Sequence, residues 1–102
     1  MLEEQLERLA RAGFQLLHTP QILTHYVIER DGFVALVERR AGGAFGNIGA
    51  PGLLADGTFS VLVWKQGAPA FVAKGRESPA TAEQVETARR FDADLRQALS
   101  GP

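Results

Sequence analysis

The sequence predicts an α+β fold in which an antiparallel sheet of four to five strands is flanked by an N-terminal and a C-terminal helix. Three observations support this prediction. Apolar residues recur at helical spacing near both ends of the chain, they form short strand-like runs in the middle, and two-residue turn signals separate those runs. Neither a repeat nor a linker interrupts the 102 residues, so we expect a single domain over 1–102.

The first helix is predicted near the N-terminus, where Leu2, Leu6 and Leu9 recur at the spacing of one helix face. Glutamates occupy its early part and arginines its end, which is the order that the helix dipole favours. Gly13 supplies the C-terminal stop, because glycine readily adopts the conformation that ends a helix.

A second helix is predicted to close the chain. Two signals compete for its start: Ser78-Pro79 gives a cap residue followed by proline, and Thr81 with Gln84 gives a possible capping box. Gly101-Pro102 marks its end. Its apolar stripe consists of Val85, Ala88, Phe91, Leu95 and Leu99. A stripe of this kind is typical of a helix that packs on a core.

The strands are predicted between the helices, where tight-turn signals separate short apolar runs. Asp31-Gly32 separates ILTHYVIE from FVALVERR, and Gln66-Gly67 separates TFSVLVWK from PAFVAKG. Asp56-Gly57 links LLA to TFSVLVW in the same manner. The segment 14–17 fits either a short strand or a lead-in, because Pro20 interrupts the run.

The two-residue loop at Asp31-Gly32 sets the register of the first predicted hairpin. It places His25 opposite Glu38, and Tyr26 opposite Val37. The side chains of His25 and Glu38 therefore share one face of the sheet.

The strand around Val61, Val63 and Trp64 carries apolar residues on both faces. We expect two helices to leave apolar surface or an unpaired strand edge uncovered, although one helix on each face, or a strongly twisted sheet, would bury everything within a monomer. A two-fold homodimer would resolve the problem. These three residues are the predicted interface.

Composition excludes several functions. Hydrophobic residues make up 45% and charged residues 23% of the chain, as in ordinary globular domains. The net charge of −1 gives no support for binding to nucleic acid or to an anionic membrane. Cysteine is absent, which removes disulfides and thiolate sites and suits a reducing compartment. The N-terminus lacks the pattern of a signal peptide, and no motif predicts a cofactor. We therefore expect a cytoplasmic protein.

The stretch AGGAFGNIGAPG at 41–52 has glycine at every third position from Gly43 to Gly52. A phosphate-binding loop would require a following helix, but the next predicted elements are strands, and neither GxGxxG nor GxxxxGK[ST] occurs. Its GNIG matches the backbone clamp of KH-type RNA modules without their flanking helices. The favoured prediction is a bulged strand or a mobile loop.

A ligand at this stretch would be held by a small set of candidates: Gly46, Asn47, Gly49, Arg39 and Arg40. Lys74 and Arg76 could extend a basic patch for an anion if the fold brings them to the two arginines.

His18 and His25 are the only histidines, and no HxH or HExxH spacing occurs, so no metal site is predicted. His25 beside Glu38 is a candidate general base, with Tyr26 as the third candidate catalytic residue. The simpler interpretation is a cross-strand polar pair at the sheet surface. A catalytic site would also need a nucleophile or oxyanion donors.

Two functions therefore follow from the sequence. The preferred hypothesis is a non-catalytic cytoplasmic interaction domain that self-associates or docks a protein partner. The alternative is a small-ligand binding protein or hydrolase-like enzyme that uses His25, Glu38 and Tyr26 near the glycine-rich 41–52 loop. A polar pocket beside His25 would favour the alternative, and an apolar sheet face would favour interaction.

Overall fold

The computed structural model describes residues 2–17, 22–55, 58–73 and 75–100. Two helices flank an antiparallel sheet in the chain order, as predicted, and the architecture is α+β. The helices are α1 (Leu2–Arg11) and α2 (Ala82–Ser100). The strands are β1 (Gln15–Leu17), β2 (His25–Arg30), β3 (Phe33–Arg39), β4 (Phe45–Ile48), β5 (Gly52–Ala55), β6 (Thr58–Lys65), β7 (Ala68–Ala73) and β8 (Arg76–Pro79).

Within the described residues the sheet has eight strands, so the prediction of four to five strands was too low. The segment 14–17 contributes β1, and the glycine-rich stretch contributes β4 after a single 3₁₀ turn at Ala41–Gly43. A further strand, β8, has no apolar alternation, and all four of its residues are exposed. Its pairing with β7 comes from tertiary contact rather than from a local pattern.

The C-terminal end of α1 and the N-terminal end of α2 have specific caps. Gly13 has a φ of 88°, and the amide of Phe14 donates to the carbonyl of Leu9 at 2.9 Å, which ends α1 as predicted. Thr81 and Gln84 form a reciprocal capping box: the Gln84 amide donates to Thr81 Oγ1 at 3.0 Å, and the Thr81 amide donates to Gln84 Oε1 at 2.9 Å. Of the two predicted starts of α2, Thr81 is therefore the cap.

The strands follow one another in the order β1-β2-β3-β5-β6-β7-β8, with every neighbouring pair antiparallel. β4 and β5 pair with opposite ends of β3, so 45–55 runs alongside β3 with an interruption at 49–51. The turn at Asp31-Gly32 has positive φ at both central residues, and so does the turn at Gln66-Gly67. The Asp56-Gly57 turn and Gly101-Pro102 lie outside the described residues.

Both helices pack on the same face of the sheet. Their buried side chains form one cluster with alternate strand residues, and Phe14 and Phe91 meet edge to face with ring centroids 5.2 Å apart. The cluster contains Leu9, Phe14, Ile28, Phe33, Ala35, Val37, Phe71, Ala88, Phe91, Leu95 and Ala98. We call this side of the sheet the helix-facing side. The alternate strand residues lie on the other side and outside the cluster.

Candidate functional site

The side of the sheet away from the helices carries a continuous apolar surface, which we call the open face. Its residues are Val27, Val34, Leu36, Leu54, Phe59, Val61, Val63, Ala70 and Val72. The described residues of the two helices contribute none of their buried side chains to this surface. Three of its members are nonetheless buried by their neighbours, most completely Val34 at 1% exposure. The other six are half-buried.

A glycine and a phenylalanine shape the centre of the open face. A Cβ atom on Gly52 would lie 3.0 Å from Cε1 of Phe59, so the Phe59 ring lies across the space that a side chain at position 52 would fill. Gly52 also pairs with Val34 of β3. An aromatic ring that covers a glycine in this way helps to shield the backbone of the neighbouring strands.

Charged side chains border the apolar residues of the open face, and among them Glu29 pairs directly with Val34. Lys65 Nζ lies 2.5 Å from Glu77 Oε1 near one edge, and Gln15 Nε2 donates to Glu29 Oε1 at 2.6 Å near the other. Each of these rim groups therefore already has a partner within its own chain. The open face is apolar at its centre and polar at its border, which is the usual anatomy of a protein interface.

The three predicted interface residues lie on different sides. Val61 and Val63 belong to the open face, with Val61 paired to Val72 and Val63 to Ala70. Trp64 points to the helix-facing side and is 57% exposed. It borders a shallow depression beside α2 that Leu62 and Val85 also line.

His25 and Glu38 face each other across β2 and β3, in the predicted register. The Glu38 carboxylate accepts a hydrogen bond from Arg40 Nε at 2.8 Å and a longer one from the Asn47 amide at 3.5 Å. These bonds lower the pKa of Glu38, Arg40 most and Asn47 next, while the nearby His25 has the smallest effect. Nδ1 of His25 lies 2.8 Å from Thr24 Oγ1.

Tyr26 is not brought together with this pair. It lies on the helix-facing side, where its hydroxyl donates to the carbonyl of Gly43 and its ring packs against Phe45 with centroids 4.6 Å apart. The guanidinium of Arg39 lies 4.5 Å from the centre of the same ring. The sheet therefore separates Tyr26 from His25 and Glu38, so the three side chains do not line one site.

The glycine-rich segment uses its glycines for close backbone approach. A Cβ atom on Gly46 would lie 2.3 Å from Glu38 Oε1, and one on Gly52 would lie 1.9 Å from the carbonyl oxygen of Ser60. The amide of Gly49 donates to the carbonyl of Leu36 at 2.8 Å. The segment is thus an interrupted strand bound to β3, and it leads into β5 rather than into a helix.

The candidate basic patch is divided between different places. Arg39 stacks on Tyr26 on the helix-facing side, and Arg40 pairs with Glu38 beside the open face. Arg76 lies on β8, which β5, β6 and β7 separate from β3 in the sheet. Lys74 and His18 lie outside the described residues.

Among the described residues, no cluster of three or more His, Asp or Glu side chains could hold a metal ion. Within the same residues, neither helix combines the length and apolar character needed to cross a membrane.

Comparison of the chain with protein-family models, with curated proteins and with solved structures finds no match. The described residues form a two-layer α+β fold, with two helices on one side of an antiparallel sheet and the apolar open face on the other.

Sequence reasoning missed most of the open face. Alternation within each strand is visible in the sequence, but the strand order that joins Val34, Leu54 and Val72 into one surface is not. One sequence signal did indicate an uncovered face: each helix has a single narrow apolar stripe, and such a stripe can cover only one face of a sheet.

Proposed function

We propose that this protein is a non-catalytic cytoplasmic interaction domain that forms a two-fold homodimer by packing the open face of one copy against the open face of another. The observation that carries the proposal is that both helices pack on one side of the sheet, while the other side is apolar at its centre. Face-to-face packing of two sheets is an established way to bury such a surface.

The size of the open face supports a second copy as its occupant. Together with its polar rim, this side of the sheet extends over seven strands, which span roughly 29 Å at a spacing of about 4.8 Å, and strands of about five residues add roughly 17 Å in the other direction. The footprint is therefore on the order of 500 Å² per copy, and two copies would bury roughly 1,000 Å² together. This area, which includes the rim, just meets the roughly 1,000 Å² expected of a biological interface and lies below the roughly 1,200–2,000 Å² of standard ones.

The charges of the rim also favour self-association. Lys65 is already paired with Glu77 within its own chain, so two copies can approach without burying an unpaired charge at this edge. A two-fold axis brings the same patch of each copy together, which suits an apolar centre that needs no complementary charge.

The alternative, a small-ligand protein or enzyme at His25, Glu38 and Tyr26, has less support. Tyr26 lies on the opposite side of the sheet from the other two residues, and its hydroxyl is bonded to Gly43. The Glu38 carboxylate is engaged by Arg40 rather than by the imidazole. The arrangement matches a surface polar pair better than a general base.

Sedimentation or light scattering at micromolar concentration tests the homodimer. We expect a species of twice the 11.0-kDa chain mass. Val61→Glu and Val63→Glu each place a charge in the open face, and each should shift the protein to monomer while its circular dichroism spectrum stays that of the wild type. Ala93→Glu adds the same charge at an exposed position of α2 and should leave the dimer intact.

A wild-type protein that sediments as a monomer across this range would contradict the proposal. So would Val61→Glu and Val63→Glu variants that remain folded and dimeric, because the interface would then lie elsewhere.

A further inference from the structure

A cavity on the helix-facing side, of about 350 Å³, lies where α2 begins. Strands β5 to β8 form its wall, and Gln84 of the first turn of α2 closes one side. The cavity exists because α2 starts only at Ala82, so the ends of these strands extend beyond the cover that the helix provides. Its volume lies at the lower end of the range for sites that bind small molecules.

Part of the cavity lining is apolar. Leu53, Phe71 and Ala73 belong to this part, and Phe71 belongs to the buried core. Because these side chains are held by the sheet and the core, the apolar part of the cavity is formed before any ligand arrives.

The polar part of the cavity contains the hydroxyls of Thr58 and Ser60 and three further groups that can donate hydrogen bonds. Ser78 and Arg76 lie on β8, and Gln84 contributes its amide group. Gln84 Oε1 is occupied by the Thr81 amide, so the NH₂ group is the part of this side chain that can donate to a ligand. The guanidinium of Arg76 and the hydroxyl of Ser78 make no hydrogen bond or ion pair with the described part of the chain.

Among the described lining residues, the charge has one sign. Arg76 carries the only charged side chain of this set, and none of the set is Asp or Glu. The amides of Thr81 and Gln84 are already used by the capping box, so the helix end offers few free donors and the arginine is the anchoring cation. A single guanidinium matches the two oxygens of one carboxylate.

We propose that this cavity binds a small carboxylate that carries an apolar tail. Arg76 holds the carboxylate in a bidentate pair, Ser78 and Gln84 donate to its remaining lone pairs, and the tail lies on Leu53 and Phe71. The site is on the opposite side of the sheet from the open face, so it does not rest on the homodimer.

Hexanoate is a suitable probe, and the amide chemical shifts of the full-length protein report its binding. We expect saturable shifts at millimolar concentration centred on Leu53, Phe71 and Ser78. The neutral 1-hexanol should bind at least about tenfold more weakly because it lacks the carboxylate. Inorganic phosphate, which has no tail, should give no saturable shifts at these residues.

Variants separate this site from non-specific binding. Arg76→Gln should weaken hexanoate about tenfold and Ser78→Ala about threefold. Both residues are exposed, so we expect both variants to fold. Arg89→Gln removes an exposed arginine of α2 that does not line the cavity, and it should bind hexanoate as the wild type does.

Three outcomes would overturn the proposal. They are an absence of saturable shifts with hexanoate, equal binding of 1-hexanol, and unchanged affinity in Arg76→Gln.

Discussion

Arg30 Nη1 lies 2.9 Å from Asp94 Oδ2, and this ion pair joins the end of β2 to the middle of α2. The same nitrogen donates to the carbonyl of Ala12 at 3.1 Å, and the guanidinium lies 4.5 Å from the centre of the Phe14 ring. One largely buried arginine therefore connects α2, the segment after α1 and the sheet. It is one of the polar contacts that hold α2 over the helix-facing side, while Gln5 and Arg8 join α1 to α2.

Replacing Arg30 should lower stability more than replacing Asp94. We expect Arg30→Gln to reduce the free energy of unfolding by about 2 kcal/mol, because it removes the ion pair, the bond to Ala12 and the contact with Phe14. Asp94 is half exposed, so Asp94→Asn should reduce it by less than about 1 kcal/mol. Urea denaturation measures both. Equal losses would show that the ion pair alone, and not the contacts of Arg30 with the N-terminal segment, stabilises this junction.

Gly52 and Gly46 should respond differently to alanine. At Gly52 the new Cβ would meet the backbone of Ser60, which cannot move without disturbing β6, so Gly52→Ala should lower the free energy of unfolding by about 3 kcal/mol. At Gly46 the closest atoms are the flexible ends of Glu38 and Arg40, so Gly46→Ala should lower it by about 1 kcal/mol. Thermal or urea unfolding compares the two variants. The reverse order would mean that β5 and β6 do not approach as closely as the structure has them.

The pKa of Glu38 should depend on Arg40 more than on His25. Arg40→Gln removes the bond that lowers the pKa of this carboxyl most, so the pKa should rise towards its ordinary value. His25→Gln removes the weakest of the influences that lower this pKa and should raise it only slightly. Titration of the Glu38 side-chain carbon by NMR measures both shifts.

The sign of the pH dependence follows from the lowered pKa. Because the folded-state pKa lies below the unfolded one, the stabilisation by Glu38 is present above the unfolded pKa and disappears as the pH falls through the folded pKa. The Arg40→Gln variant should therefore lose less stability than the wild type over this acidic interval. An unchanged pH profile would contradict the bond between Arg40 and Glu38.

Local signals in the sequence account for much of the fold. The Asp31-Gly32 and Gln66-Gly67 turns impose a two-residue loop, which fixes the register that places His25 opposite Glu38. Helix caps and apolar stripes similarly locate α1 and α2. These elements depend on residues close together in the chain, so a pattern can reveal them.

The remaining features depend on residues that meet only in the folded chain. β8 has no apolar signal and exists because β7 presents an unpaired edge. Arg40 and His25 both lie near Glu38, and the side-chain geometry of the folded chain determines that Glu38 bonds to Arg40. The side on which both helices pack is likewise a property of the whole core, and it determines that the open face exists at all.

The proposed homodimer also predicts that stability depends on protein concentration. Association that buries the open face favours the folded state by mass action, so the midpoint of thermal unfolding should rise as the concentration of the wild type increases. Val63→Glu should remove this dependence, because a carboxylate in the apolar centre opposes association. Ala93→Glu, which lies on the exposed side of α2, should keep it. Differential scanning calorimetry over a hundredfold range of concentration, at constant scan rate, measures the effect. A wild-type midpoint that stays constant over that range would exclude a dimer whose folding and association are coupled.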